Sequence, residues 1–166
     1  MKKQVFKNAY TGKWLKFLYV DYENKGKLIK NYEIIQRVSN NNDQDNLTLG
    51  KTHGVSVYPI IDNKKLIVIA NFRIPVNKYV LEIPSGLLES QDYLQEGLRE
   101  LKEETGYLGQ KEINILNGEE QPFYYIDPWK SNESGRLMLI HIDQSENGNI
   151  QTDLEDAGDI NVHIQI

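Results

Sequence analysis

Hydrophobic and polar positions alternate along much of the chain, and the period of that pattern predicts most of its elements. Residues 14–20 (WLKFLYV) and 32–37 (YEIIQR) are rich in aromatic and branched side chains. They flank a polar turn around Asn24–Gly26, which predicts a hairpin or a small N-terminal sheet. Residues 39–46 (SNNNDQDN) are polar and turn-prone, the pattern of an exposed loop. GVSVYPII and KLIVIANFR, joined by Asp62–Asn63, predict a second hairpin. YVLEIPSG follows, with Pro84 ending the strand and Gly86 opening a loop. Further short strands are expected at 111–117, 122–127, 136–142 and 160–166.

Between 92 and 105 the pattern changes to that of a helix. Asp92 is the candidate N-cap, Gln95 its capping-box partner, and Thr105–Gly106 the stop. Leu94, Leu98 and Leu101 form a narrow apolar stripe on one face. Strands, one central helix and then more strands, with no internal repeat, predict an α+β fold with a mixed sheet.

Opposite that stripe gather Glu96, Glu100, Glu103 and Glu104. Two accounts compete. The face is solvated, with Arg99 paired to Glu103 and Lys102 nearby. Alternatively, the carboxylates hold a hard divalent cation. Mg²⁺ takes oxygen ligands and keeps several waters, so two or three carboxylates suit it, with substrate phosphates completing the shell.

Composition narrows the partners. At 166 residues the chain is long enough for one domain with a real core. A net charge of -5 argues against a nucleic-acid groove or an anionic membrane surface. A phosphate-bearing ligand would then need a cation or local arginines. There are no cysteines, and His53, His141 and His163 are widely spaced, so thiolate and histidine-based metal sites are not expected. No apolar run approaches the roughly 18 residues of a membrane span. The lysine-rich N-terminus lacks the apolar core of a secretory signal, so a cytoplasmic protein is expected, with a mitochondrial address as the alternative.

Arg99-Glu100-Leu101-Lys102-Glu103-Glu104-Thr105-Gly106-Tyr107 resembles the second half of the Nudix box, Gly-x5-Glu-x7-Arg-Glu-apolar-x-Glu-Glu-x-Gly-apolar. Gly86 stands in place of the opening glycine. The interval from Gly86 to Arg99 is one residue shorter than the family spacing, so the box's first glutamate falls on Asp92 or Gln91. LEIPSGLLE, NFRIP, IDPWKSNE and GKWLKFLYVDYENKGKLIKNYEIIQR are similar to segments of the ADP-ribose and ADP-sugar pyrophosphatase branch. The resemblance implies a Nudix-type α/β/α sandwich with a mixed central sheet over 51–166, behind an N-terminal antiparallel β-hairpin region over 1–50. That region is exchanged in a homodimer in the branch. Family members continue past the last strand into a helix. Its absence here is expected to leave an apolar face for a partner protein to cover.

The roles implied by the resemblance are as follows. Glu100 and Glu104 are the main Mg²⁺ ligands, with Mn²⁺ as the alternative ion, and Glu103 shares the metal. Ser85 offers its backbone carbonyl to it. Arg99 holds the catalytic loop and carboxylates in place. Arg73 and Arg37 bind phosphate or ribose, and an arginine fork suits a diphosphate. Trp14 and Tyr32 sandwich the adenine, one from each subunit. Asp159, with Glu155 and Asp156 as neighbours, aligns with a late-loop glutamate that helps activate the attacking water. Each has a structural alternative: Trp14 and Tyr32 as cover for a sheet edge, the arginines as surface cations.

Two functions remain open at this point. One is Mg²⁺-dependent hydrolysis of ADP-ribose or a related nucleoside diphosphate sugar to AMP and a sugar phosphate. The other is an inactive Nudix-derived binding or structural subunit. The shortened box and the aspartate at 159 favour the second, and the intact Arg99–Gly106 segment favours the first.

Overall fold

A computed structural model describes residues 4–38, 53–62, 64–90, 92–112, 123–143, 145 and 160–165. The expected loop at 39–46, most of the strand expected at 111–117, and Asp159 with its acidic neighbours lie outside the described residues. The chain divides into two compact units. One comprises Met1–Lys51 with Tyr125–Ser134, the other Thr52–Tyr124 with Gly135–Ile166.

In the N-terminal unit, β1 (Gln4–Thr11), β2 (Leu15–Asn24) and β3 (Lys27–Arg37) form an antiparallel sheet in chain order. The predicted turn joins β2 to β3 through Lys25 and Gly26, at φ 51° and 76°. Two successive positive φ values match the twist of a tight hairpin. The ladder is interrupted once, between Val20 and Tyr22. There Asp21 receives the N–H of Asn31 at 2.8 Å, and Asn31 has a φ of 54°. Lys7 of β1 donates to the other oxygen of the same carboxylate at 2.6 Å. Leu18 and Val20 are the buried residues of β2. Segment 125–134 joins this sheet at the edge of β3, where Ile35 N–H donates to the Lys130 carbonyl at 2.7 Å.

The C-terminal unit is a mixed sheet. Its central order is β11 (Ile160–Gln165), β5 (Lys65–Arg73), β4 (Gly54–Ile61), β10 (Ser134–Ile142) and β8 (Lys111–Glu112). β4 and β10 run parallel, and the other described pairs are antiparallel. The run expected as one strand before Gly86 is two. β6 (Lys78–Glu82) pairs with β5, and β7 (Ser85–Leu87) pairs with β4. Pro84 has no N–H for a ladder, so it stands at the switch between partners, where its carbonyl accepts from Val57 N–H. β4 and β5 consequently pair only at the hairpin end, Ile60–Leu66 and Ile61–Lys65. β9 (Phe123–Tyr125) pairs with β10.

Among the described residues the one α-helix is α1 (Tyr93–Thr105), close to its expected bounds. Its leucines face the sheet as the stripe predicts. Leu101 is fully buried against Val55, Val57, Met138, Ile140 and Ile142, with Leu94 and Leu98 packed on that cluster. Close approach of helix to sheet depends on Gly97, where a Cβ would meet Met138 Sδ at 2.9 Å. The architecture is therefore α+β with a mixed sheet. Among the described residues no helix is long and apolar enough to cross a membrane.

Candidate active site

The ends of α1 are set by local chemistry. Asp92 is the N-cap and its carboxylate accepts from Gln95 N–H at 3.1 Å. Gly106 ends the helix in the left-handed conformation, φ 75°, and donates to the Lys102 carbonyl. This phase carries the box residues to the side of the helix next to β7.

The acidic face is only partly solvated, with the Glu103 side chain 41% exposed. Glu96 and Glu100 are buried, at 7% and 8% exposure. Their charges meet Arg99, which donates to Glu96 at 2.9 Å, Glu100 at 2.6 Å and Glu103 at 2.7 Å. A weaker bond of 3.5 Å reaches the Leu87 carbonyl in β7. Burial opposes the charge on Arg99. The hydrogen bond to Glu96 and the charges of Glu100 and Glu103 outweigh it, so its pKa is raised. Three carboxylates thus share one guanidinium, as the resemblance implies for Arg99.

Glu100 lies over Gly86, so close that a Cβ at residue 86 would fall 2.0 Å from its carboxyl group. Burial raises the Glu100 pKa, against the lowering by Arg99, and the charges of Glu103 and Glu96 push in the same direction as burial. One helical turn on, Glu104 accepts the Ser85 N–H at 2.8 Å. Glu100, Glu104 and the main chain of Ser85 are therefore brought together between α1 and β7. Among the described residues no group of three or more His, Cys, Asp or Glu side chains is arranged to hold a metal ion. The donor set still fits a hard cation. It is all oxygen, it is short of positive charge, and Mg²⁺ needs few protein ligands.

The remaining expected residues are dispersed. Arg73 closes a two-point fork on Glu82, with Nε 2.8 Å from Oε1. The two lie on one face of the β5–β6 ladder, where Ile69 pairs with Glu82 and Arg73 with Lys78. Arg37, Trp14 and Tyr32 belong to the N-terminal unit. Arg37 is ion-paired to Glu133, with Nε 2.6 Å from Oε1. Tyr32 donates to the Trp129 carbonyl and packs edge-on against Tyr22. Trp14, 69% exposed, carries the Lys13 ammonium over its ring. Trp14 precedes by six residues the row in which Val20 pairs with Tyr32. At ~3.3 Å per residue, that row is ~20 Å away along the strand. The acceptors Glu82 and Glu133 were not singled out in the sequence, because pairs this far apart in the chain leave no local signal. Glu96 stood out in the sequence only as one of four clustered carboxylates, with no partner of its own.

A family model described as the NUDIX domain matches residues 50–162. The chain belongs to the Nudix hydrolase family, as the Arg99–Tyr107 segment suggested. It is 29% identical to the ADP-sugar pyrophosphatase of Mus musculus, over 84% of this chain and 61% of that one. It is 33% identical to the ADP-ribose pyrophosphatase of Saccharomyces cerevisiae, over 64% of this chain and 47% of that one. The chain thus spans less than two thirds of either relative. A solved structure titled as an ADP compounds hydrolase superposes with a TM-score of 0.68, covering 98% of this chain and 78% of that one. At 17% identity that likeness shows the fold alone.

Proposed function

We propose that this protein hydrolyses the pyrophosphate bond of ADP-ribose or a related nucleoside diphosphate sugar, giving AMP and a sugar phosphate, and that it uses Mg²⁺. The observation that carries this reading is the corner where Glu100, Glu104 and Ser85 meet, built from box residues in the expected phase. The names of the two pyrophosphatase relatives support the substrate class.

A divalent ion held by Glu100 and Glu104 supplies positive charge to a diphosphate that an acidic protein would otherwise repel. The chain's own residues do the rest. Ser85 N–H fixes the Glu104 carboxylate, and Arg99 fixes Glu100 and Glu103. Glu103, ion-paired to Arg99 and with its side chain 41% exposed, is the proposed acceptor of a proton from water. Arg73 offers a fork that suits two phosphate oxygens once it leaves Glu82. Trp14 and Tyr32 are the proposed adenine clamp, one ring from each copy of a homodimer, as the resemblance to the pyrophosphatase branch implies.

The test is direct. Purified protein with Mg²⁺ and ADP-ribose should release AMP, and Glu104→Gln should abolish the release. If the unaltered protein is as silent as that variant across nucleotide sugars, the chain is a binding module built on this fold.

A further inference from the structure

The shortened box leaves a structural question. The position eight residues before Arg99, where the family pattern has its first glutamate, is Gln91. The neighbouring Asp92 is committed to the helix N-terminus through Gln95 N–H. Gln91 carries no carboxylate. Besides Glu100 and Glu103, the carboxylate on Arg99 is Glu96, three residues before it and on the same side of α1.

We propose that Glu96 is the positioning residue that fixes the Arg99 guanidinium and the β7–α1 loop, so that Glu100 stays aimed over Gly86. Glu96 Oε2 accepts from Arg99 Nη2 at 2.9 Å and from Arg99 Nε at 3.3 Å. Ser90 first and Arg99 second hold the Glu96 pKa below its ordinary value, so the group remains an anion. Arg99 can therefore bridge Glu100 and Glu103 without being drawn toward either. An arginine between two acceptors with no third anchor would follow whichever lay nearer. A carboxylate one turn into the helix does from inside α1 what a longer loop would do from outside it.

The inference rests on the metal-binding reading only for one of its two measurements. In the first, the Arg99 Nε–H signal is followed by NMR in the metal-free protein. Glu96→Gln should accelerate its exchange at least ~10-fold, because a carboxamide is a weaker acceptor than a carboxylate. In the second, Mg²⁺ binding is measured by calorimetry. Affinity should fall ~10-fold, the usual scale for loss of a residue that orients a metal ligand. Glu96→Asp, which keeps the charge but shortens its reach to Arg99, should move both readouts the same way by a smaller factor, and it carries the test if Glu96→Gln does not fold. A lowered melting temperature with the Arg99 signal and Mg²⁺ affinity of the unaltered protein would overturn the proposal. Failure of the hydrolase reading looks different: no AMP release from a protein in which both readouts still respond to Glu96→Gln.

Discussion

Gly86 lies against the carboxyl group of Glu100, with 2.0 Å between the place a Cβ would take and Glu100 Cδ. The opening glycine of the box is thus a matter of space rather than of backbone angle. Gly86→Ala should drive the Glu100 carboxylate out of its place, because the neighbouring atom is itself a proposed ligand. Mg²⁺ affinity should fall ~10- to 100-fold while the circular dichroism of the fold is kept. Calorimetry checks it, and unchanged affinity would separate Glu100 from the metal.

Leu101 is the anchor of α1, fully buried among strands β4 and β10. Leu101→Ala should cost about 2–5 kcal/mol, the transfer free energy of the lost atoms plus the cavity. Gly97→Val tests the same contact from the other side. Its added carbons meet Met138 and Val57 in a packed core, and overpacking of this kind costs about 1–3 kcal/mol. Urea unfolding of both variants gives the values, and a neutral Gly97→Val would mean that α1 can ride up on the sheet.

Leu101 illustrates what the sequence made legible. Leu94, Leu98 and Leu101 declared the buried face by their period, and Asp92 and Gly106 declared the ends of the helix, because stripes and caps are local. The split at Pro84 was half visible. Proline announces that a strand stops pairing with one neighbour, and only the fold shows that Ser85 resumes with another. The burial of Glu96 and Glu100 ran against their charge, which alone predicts solvent. Here Arg99 and the β7–α1 loop compensate the burial. Arg73–Glu82 and Arg37–Glu133 are tertiary pairs, set by register across strands and loops, so no spacing rule could reveal them.

Asp21 makes the N-terminal sheet sensitive to acid. Its carboxylate receives Lys7 and the N–H of Asn31, and these bonds, Lys7 first, hold its pKa below the ordinary 3.8. A carboxyl with a depressed folded pKa contributes stability above the unfolded value and loses it as pH falls through the folded one. The contribution should therefore be constant above about pH 5 and fade below pH 3.8. Asp21→Asn should remove that part of the acid dependence and loosen the turn at Asn31. Proton titration of the Asp21 carboxyl by NMR checks the sign, and a midpoint above the ordinary value would contradict it.

Arg73 holds two nitrogens on Glu82, so its charge is balanced and its fork already formed. A diphosphate that competes for the fork would replace one bidentate partner with another. Such a contact binds substrate and transition state alike, so its loss should appear in KM and leave kcat nearly unchanged. Arg73→Ala should raise KM for ADP-ribose about 10-fold, on the scale of 1.4 kcal/mol for a charged hydrogen-bonding pair. Arg73→Lys should recover little, since an ammonium restores the charge but not the two parallel donors. Full recovery by lysine would mean that charge alone matters at this position. An unchanged KM in both variants would leave Arg73 as the partner of Glu82 and nothing more, and the diphosphate would have to be met elsewhere.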